Sequence, residues 1–377
     1  MSGALIQLVS KGVQDAYIIS DEGHSFFRTK FTRHTNFSQA PKFIKSITAT
    51  DTSIVIPVYG DIINGIWFEA GTRNASIASN LFYNSTIDLF IGGQKIDSQH
   101  YDYFSDIWTN YLADTYNKSQ ELNNKTSASS HTFLPLHFFF CDHKAFLPLI
   151  ALQHHQVEIR ITFDDANIAG LDEAEKKANV YGNYIYLDKD ERETFTKRNM
   201  DLIITQVQTF KTEMNTVANN LVDQGGYNVI DISQFNHPVK SIFWGFPALS
   251  KDDANDRFTF LTADLQINGT HLFERMSPLY FHTVQNYYKS NYGVTEFSEA
   301  SEVPFYTRYF TYHFCLNASE YNPSGTCNFS RIDNATLSLH GAEKGSLRPE
   351  SQELSLFAVN YNVLRIRNGL AGILFGN

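Results

Sequence analysis

Cysteine is almost missing from this chain. Its 377 residues include three, Cys141, Cys315 and Cys327, too few and too scattered for a disulfide framework. Cys315 and Cys327 could approach each other across a loop, but free thiols in a reducing compartment are the plainer expectation. Long apolar runs are missing too: no stretch of eighteen occurs, so no transmembrane segment is expected. The N-terminus has no basic region followed by an apolar stretch and does not read as a signal peptide. Charge is scarce, at 19% of residues, and the balance is acidic, with a formal net charge of -10. Phosphate backbones are bound by concentrated Lys and Arg, so no direct nucleic-acid binding is expected. Lys30, Arg33, Lys42 and Lys45 form only a sparse basic group.

Catalytic signatures are absent as well. The chain has no H-E-x-x-H, no Walker-type G-x-x-x-x-G-K and no G-x-S-x-G elbow. His154-His155 with Glu158, and His137 with Cys141 and His143, are the only clusters with ligand-like spacing. Thirteen scattered histidines produce such pairs by chance. No enzyme, no cofactor and no metal site are expected.

What the chain does have is aromatic β-forming sequence, with 31 Phe and 20 Tyr. Many short strand-like runs with few helical ones indicate sandwiches or barrels. The main helical expectation in the first half is Asp97 to Tyr116, where Tyr101, Phe104, Ile107, Trp108 and Leu112 recur at spacings of three and four. A weak internal repeat organises the rest. Asp88-Leu89-Phe90-Ile91-Gly92-Gly93 is echoed 176 residues later by Asp264-Leu265-Gln266-Ile267-Asn268-Gly269. At the same offset Glu158 to Thr162 faces Asn334 to Ser338, and Ile66-Trp67-Phe68 faces Phe243-Trp244 at nearly that separation. A duplicated unit of short strands is what two jelly-roll sandwiches look like in sequence. The expected fold is all-β, a tandem double jelly roll of two eight-stranded sandwiches with short helices in loops. The expected parts are an N-terminal arm over 1–25, a first roll over 26–190, a connector over 191–224 and a second roll over 225–377.

The segment Pro323-Ser324-Gly325-Thr326-Cys327-Asn328-Phe329-Ser330-Arg331-Ile332-Asp333-Asn334-Ala335 resembles a hallmark of the major capsid proteins of nucleocytoplasmic large DNA viruses. Three further segments are similar to that family in the same order along the chain. They are Gly3 to Val9 with Gly12 and Asp15, Phe235 to Lys240 with Trp244, and Asn360 to Ile366 with Gly369 to Gly372. The resemblance implies a structural shell protein whose trimers have a pseudo-hexagonal outline, each chain giving two of six similar blocks. It implies residence in the virion after assembly in the host cytoplasm. The implied partners are further copies of the chain, neighbouring capsomers, and minor capsid and penton proteins. A jelly-roll carbohydrate-binding or host-attachment protein is the alternative from another class.

Individual residues carry narrower expectations. Pro323 and Gly325 suit a rigid then permissive turn, Phe329 and Ile332 anchor it, and Arg331 is expected to pair with a carboxylate and pin the loop near a subunit boundary. Trp244 is expected between the sheets. Tyr287, Tyr288, Tyr292 and Phe297, in a long loop expected around 286–303, have the character of interface anchors. Leu364 and Ile366 alternate with Arg365 and Arg367 and are expected inside the second sandwich, with Leu370, Ile373, Leu374 and Phe375 covering apolar surface.

Overall fold

The computed structural model describes residues 33–70, 81–112, 133–142, 144–173, 175–214, 227–245, 260, 262–292, 309–340 and 352–376. Two compact units divide the chain, Met1–Asn36 and Phe37–Asn377, and every described strand lies in the second. The expected arm over 1–25 falls outside the described residues.

Eight strands come first: β1 (Phe37–Thr48), β2 (Ser53–Val55), β3 (Ile62–Ala70), β4 (Thr86–Ile91), β5 (Gln94–His100), β6 (Phe133–Pro135), β7 (Val157–Thr162) and β8 (Lys177–Leu187). They form two antiparallel sheets ordered β1-β8-β3-β6 and β2-β7-β4-β5. The next set is β9 (Met200–Met214), β10 (Tyr227–Asp231), β11 (Pro238–Gly245), β12 (Thr262–Ile267), β13 (Thr270–Met276), β14 (Tyr309–His313), β15 (Cys327–Asn328), β16 (Ala335–His340), β17 (Gln352–Arg367) and β18 (Leu370–Ile373). Here the orders are β9-β17-β11-β14 and β10-β16-β12-β13, with β15 beside β11 and β18 beside β17. Setting the short β15 and β18 aside, the second set repeats the first strand for strand. That is a double jelly roll.

The repeat is also metric. Trp67 pairs with Tyr181 across β3 and β8, and Phe243 pairs with Phe357 across β11 and β17. Both members are displaced by 176 positions. The equivalence of β7 and β16 is shifted slightly from the sequence expectation. Leu89 pairs with Ile159 and Leu265 with Leu337, so that strand is offset by 178. A two-residue shift leaves every side chain on its original face, which is why it is tolerated.

Alternation explains the cores. In β4, Ile87, Leu89 and Ile91 are buried in turn, and in β16 Ala335, Leu337 and Leu339 are. Two large apolar clusters result, one per roll. One local expectation changes. Asp97 to His100 belongs to strand β5, because its register against β4 runs to Thr86–His100, and the helix begins only after it at Asp102–Tyr111. Phe138, Phe139 and Phe140 leave the sheet after Pro135 and bury themselves through a single tight turn.

β9 and β17 are the longest elements, paired without interruption from Gln352↔Met214 to Ile366↔Met200. One face of this ribbon changes partner along its length. Leu354, Leu356, Ala358 and Phe210 pack in the second core, whereas Leu364, Ile366 and Ile204 pack in the first. Between them lies a belt of amides: Gln208 Nε2 donates to Asn360 Oδ1 at 2.9 Å, and Asn362 Nδ2 to Gln206 Oε1 at 2.8 Å. Leu364 and Ile366 are therefore buried as their alternation predicts, but in the first roll rather than the second. Beyond them Ala371 is buried and Ile373 half-buried against that same core, while Leu370, Leu374 and Phe375 are partly exposed. The end is fastened by backbone: His154 N–H donates to Gly369 O at 3.1 Å, and Ala371 N–H to His155 Nδ1 at 3.1 Å. Gly369 sits at φ 78°, and a Cβ there would come within 2.9 Å of the His154 ring, so a side chain here would strain the backbone and push the ring aside.

Truncating Leu364 to Ala should cost about 2–5 kcal/mol through the cavity it leaves. The damage should appear in the first roll. Hydrogen exchange should accelerate in β4 and β7 while β12 and β16 keep their protection; equal acceleration in both rolls would contradict the shared-strand packing.

Candidate functional site: the seam between the rolls and the exposed second helix

The helix Asp102–Tyr111 leaves β5 and closes on itself with wide turns, Leu112 N–H donating to Ile107 O at 2.8 Å. Tyr101 and Phe104 face the first core. Tyr103, Ile107 and Leu112 instead pack on the outer face of sheet β9-β17-β11-β14, against Phe243, Tyr309 and Phe357. The Tyr103 and Phe357 ring centroids are 5.6 Å apart. At the helix start Asp102 lies 3.5 Å from Lys211 Nζ on β9, and Lys211 also meets Glu353 at 2.8 Å. The first roll thus holds the second through a helix laid on its sheet.

A small cavity of about 100 Å³ lies beside this contact, lined in part by Asp97, His137, Lys240, Tyr292 and His313. Its polar groups tie elements of both rolls together. Asp97 Oδ1 accepts from Val207 N–H at 2.8 Å, and Gln99 Nε2 reaches Asp97 Oδ2 at 2.8 Å and His137 O at 2.9 Å. Burial pushes the Asp97 carboxyl up to about 6, against those hydrogen bonds. Burial lowers His137 to about 4, and His313 to about 3 with help from the nearby Lys240 and Lys289 ammonium groups. Burial likewise raises the Cys141 thiol. Neutral imidazoles and an un-ionised thiol make this a structural junction with no activated nucleophile. Among the described residues no cluster of His, Cys, Asp and Glu is disposed to hold a metal. His154 and His155 serve the docking of the β17–β18 turn, and His143 lies outside the described residues.

The second helix, Tyr280–Val284 continuing as Gln285–Lys289, is pinned on its inner side. His313 bridges Ser241 Oγ at 2.8 Å and Asn286 Oδ1 at 3.0 Å. Gln285 Oε1 accepts from His313 N–H at 3.1 Å, and Lys289 Nζ donates to His313 O at 2.8 Å. His282, also lowered by burial to about 4, sits 3.2 Å from Tyr309 O. On the outer side Tyr287 and Tyr288 are 78% and 77% exposed.

The hallmark segment is an internal anchor. Gly325 has φ 137°, and a Cβ there would lie 3.2 Å from Phe314 O and 3.3 Å from Cys315 Cα. Ser324 Oγ caps the facing turn by accepting from Asn317 N–H at 3.0 Å. Phe329 is buried between Phe235 and Phe314, its ring 6.2 and 5.9 Å from theirs. Ile332 packs half-buried on the second core, and Pro323 is exposed. Backbone joins this segment to the other family-like segment: Pro238 pairs with Asn328, and His237 N–H donates to Ser330 Oγ at 2.8 Å. Arg331 is exposed, and among the described residues no carboxylate pairs with it. Trp244 packs between the sheets against Phe281 and Phe310.

Of the four aromatic anchors, Tyr287 and Tyr288 are on the surface. Tyr292 is in the seam, 5.3 Å from the Trp108 ring with its hydroxyl donating to Ala318 O at 3.2 Å. Phe297 lies outside the described residues. Sequence reasoning missed Asp97, Lys211, Phe243 and Phe357 as seam residues. Carrying the 176-residue offset from Trp67 and Tyr181 to Phe243 and Phe357 would have singled out the last two.

Residues 191–372 match the family described as large eukaryotic DNA virus major capsid protein, and residues 25–188 match that described as major capsid protein N-terminus. The chain is similar to the major capsid protein of Pyramimonas orientalis virus, with 34% identity over the whole of both chains. It is 30% identical to that of Paramecium bursaria Chlorella virus 1, again over the whole of both. Among solved structures it is similar to the quasi-atomic structure of the PBCV-1 virus capsid, with a TM-score of 0.77 and 26% identity, covering 94% of this chain and 100% of that one. The Faustovirus major capsid protein, at 10% identity and a TM-score of 0.66 over 95% of each chain, shares the fold.

The buried groups of the seam set a pH dependence. The neutral forms of His137, His282 and His313 stabilise the fold above the ordinary value of 6.5, and that stability is lost as pH falls toward their lowered values near 4, 4 and 3. Asp97 acts in the opposite sense: its stabilising protonated form is fully present below 3.8 and is lost as pH rises through about 6. Three groups outweigh one, so the melting temperature should fall between pH 7 and pH 5. Asp97→Asn should steepen that fall by removing the opposing group. A profile that Asp97→Asn leaves unchanged would contradict this balance.

Proposed function

The chain belongs to the major capsid proteins of large eukaryotic DNA viruses, and from that premise we propose that it builds pseudo-hexagonal homotrimeric capsomers. Its role is structural: it forms part of a viral capsid and carries out no catalysis. The observation that supports the trimer is the twofold use of one strand order in a single chain. Two similar blocks per chain become six when three chains close into a ring, so a nearly hexagonal tile arises from a threefold assembly. Rolls over about 26–190 and 225–377 are the blocks, with β9, inside the expected connector, serving both.

In this reading Trp244, Phe329, Ile332, Leu364 and Ile366 keep the blocks rigid, and Pro323 and Gly325 set the turn that fastens β16 to β11. Tyr292 joins the two rolls within one chain. Tyr287, Tyr288 and Arg331 remain for neighbouring subunits. Contacts with adjoining capsomers and with minor capsid and penton proteins follow from tiling a closed shell, and the host cytoplasm is the site of assembly.

Light scattering on the purified protein should give three times the 43.0 kDa chain mass, and electron microscopy should show six-lobed particles. A monomer at every concentration that binds glycans would instead support the carbohydrate-binding alternative.

A further inference from the structure

Among the described residues, the two rolls share a strand order but not a covering. In the second roll the outer pair Phe243 and Phe357 is buried beneath the helix Asp102–Tyr111. The equivalent pair in the first roll, Trp67 and Tyr181, also points outward, since Ile66, Phe68 and Val180 beside them fill the core. These two rings stack 5.8 Å apart, and Phe43, 50% exposed, stands 5.6 Å from Tyr181. Polar groups border the rings: Asn183 Nδ2 donates to Asn64 Oδ1 at 2.7 Å, and Trp67 Nε1 to Glu69 Oε1 at 3.0 Å. An aromatic centre with a polar rim is the composition of a protein interface.

The helices differ in the complementary way. Phe104 and Phe281 each face their own roll's core. Counting from them, Tyr280 and Val284 stand where Tyr103 and Ile107 stand in the first helix. Tyr103 and Ile107 are buried under the second roll; Tyr280 and Val284 are only half-buried, and Leu279, Tyr287 and Tyr288 beside them are exposed. Each chain therefore contains one completed helix-on-sheet contact and both halves of a second.

We infer that the outer side of helix Tyr280–Lys289 docks on the outer face of sheet β1-β8-β3-β6 of a second copy, at Phe43, Trp67 and Tyr181. The contact repeats between chains what helix Asp102–Tyr111 does within one, and it rests on the capsomer assignment above. It joins two different faces, so each copy offers a helix to one neighbour and a sheet to the other, and the arrangement closes as a ring. The hydrogen bonds of His313, Gln285 and Lys289 hold the helix in place beforehand, which lowers the ordering cost of docking.

The test uses the full chain. Chains carrying Tyr288→Cys and Phe43→Cys are co-expressed and mildly oxidised, beside each variant alone and the unsubstituted protein, whose own three thiols set the background. A disulfide-linked pair should appear only in the mixture, because only a head-to-tail contact brings these two positions within disulfide reach. The double variant Tyr287→Ser/Tyr288→Ser should melt normally and lose trimer affinity by roughly tenfold or more. Trimers that persist with full affinity in the double variant and give no mixed cross-link would overturn the docking site while leaving the capsomer assignment intact. A protein that never leaves the monomer would overturn both.

Discussion

The antiparallel pairing of β9 with β17 is the constraint on which the rest of the molecule depends. A strand has two faces with a period of two, and most strands spend each face on one environment. Here a single face passes from the second core, through a belt of paired amides, into the first core. The belt gives polar side chains to the stretch where neither core is available, and each amide finds a partner, as buried polar groups must. Because the ladder fixes both strands residue by residue, the two rolls cannot rotate against each other without breaking it.

The other face of the same sheet supplies the second tie. Phe243 and Phe357 accept the helix from the first roll, so sheet β9-β17-β11-β14 is covered on both sides. Among the described residues, its counterpart in the first roll is covered on one. The asymmetry follows from placing two copies of one fold in series: an inner junction uses one helix and one sheet face and leaves the others at the two ends.

Much of this was legible in the sequence, for physical reasons. Apolar alternation marked most strands, and the 88–93 and 264–269 echo marked two equivalent β-hairpins, because glycine and asparagine turns and inward residues are local properties. Gly325 was legible as a permissive turn since its requirement is its own backbone angle. Other features depend on what lies across a gap. Alternation put Leu364 and Ile366 inside, but period two identifies a face and not the core that meets it. Tyr287 and Tyr292 have the same side chain five residues apart, yet one is solvent-exposed and the other packs on Trp108. Asp97 read as helical because aromatic spacing downstream masked a strand whose partner, β4, is set by register.

The shared ribbon also governs the order in which the chain can fold as it is synthesised. The first roll is encoded early, but Ile204, Leu364, Ile366 and Ala371 complete its core. A ribosome-bound chain that has emitted β1 to β8 holds a sandwich with an open side, and contacts of such long sequence separation form slowly. Until β17 and β18 emerge, that side is exposed apolar surface, the kind on which chaperones act and aggregates grow. The same dependence makes translation through β17 and β18 a checkpoint: only a chain that has emitted them has a finished first roll.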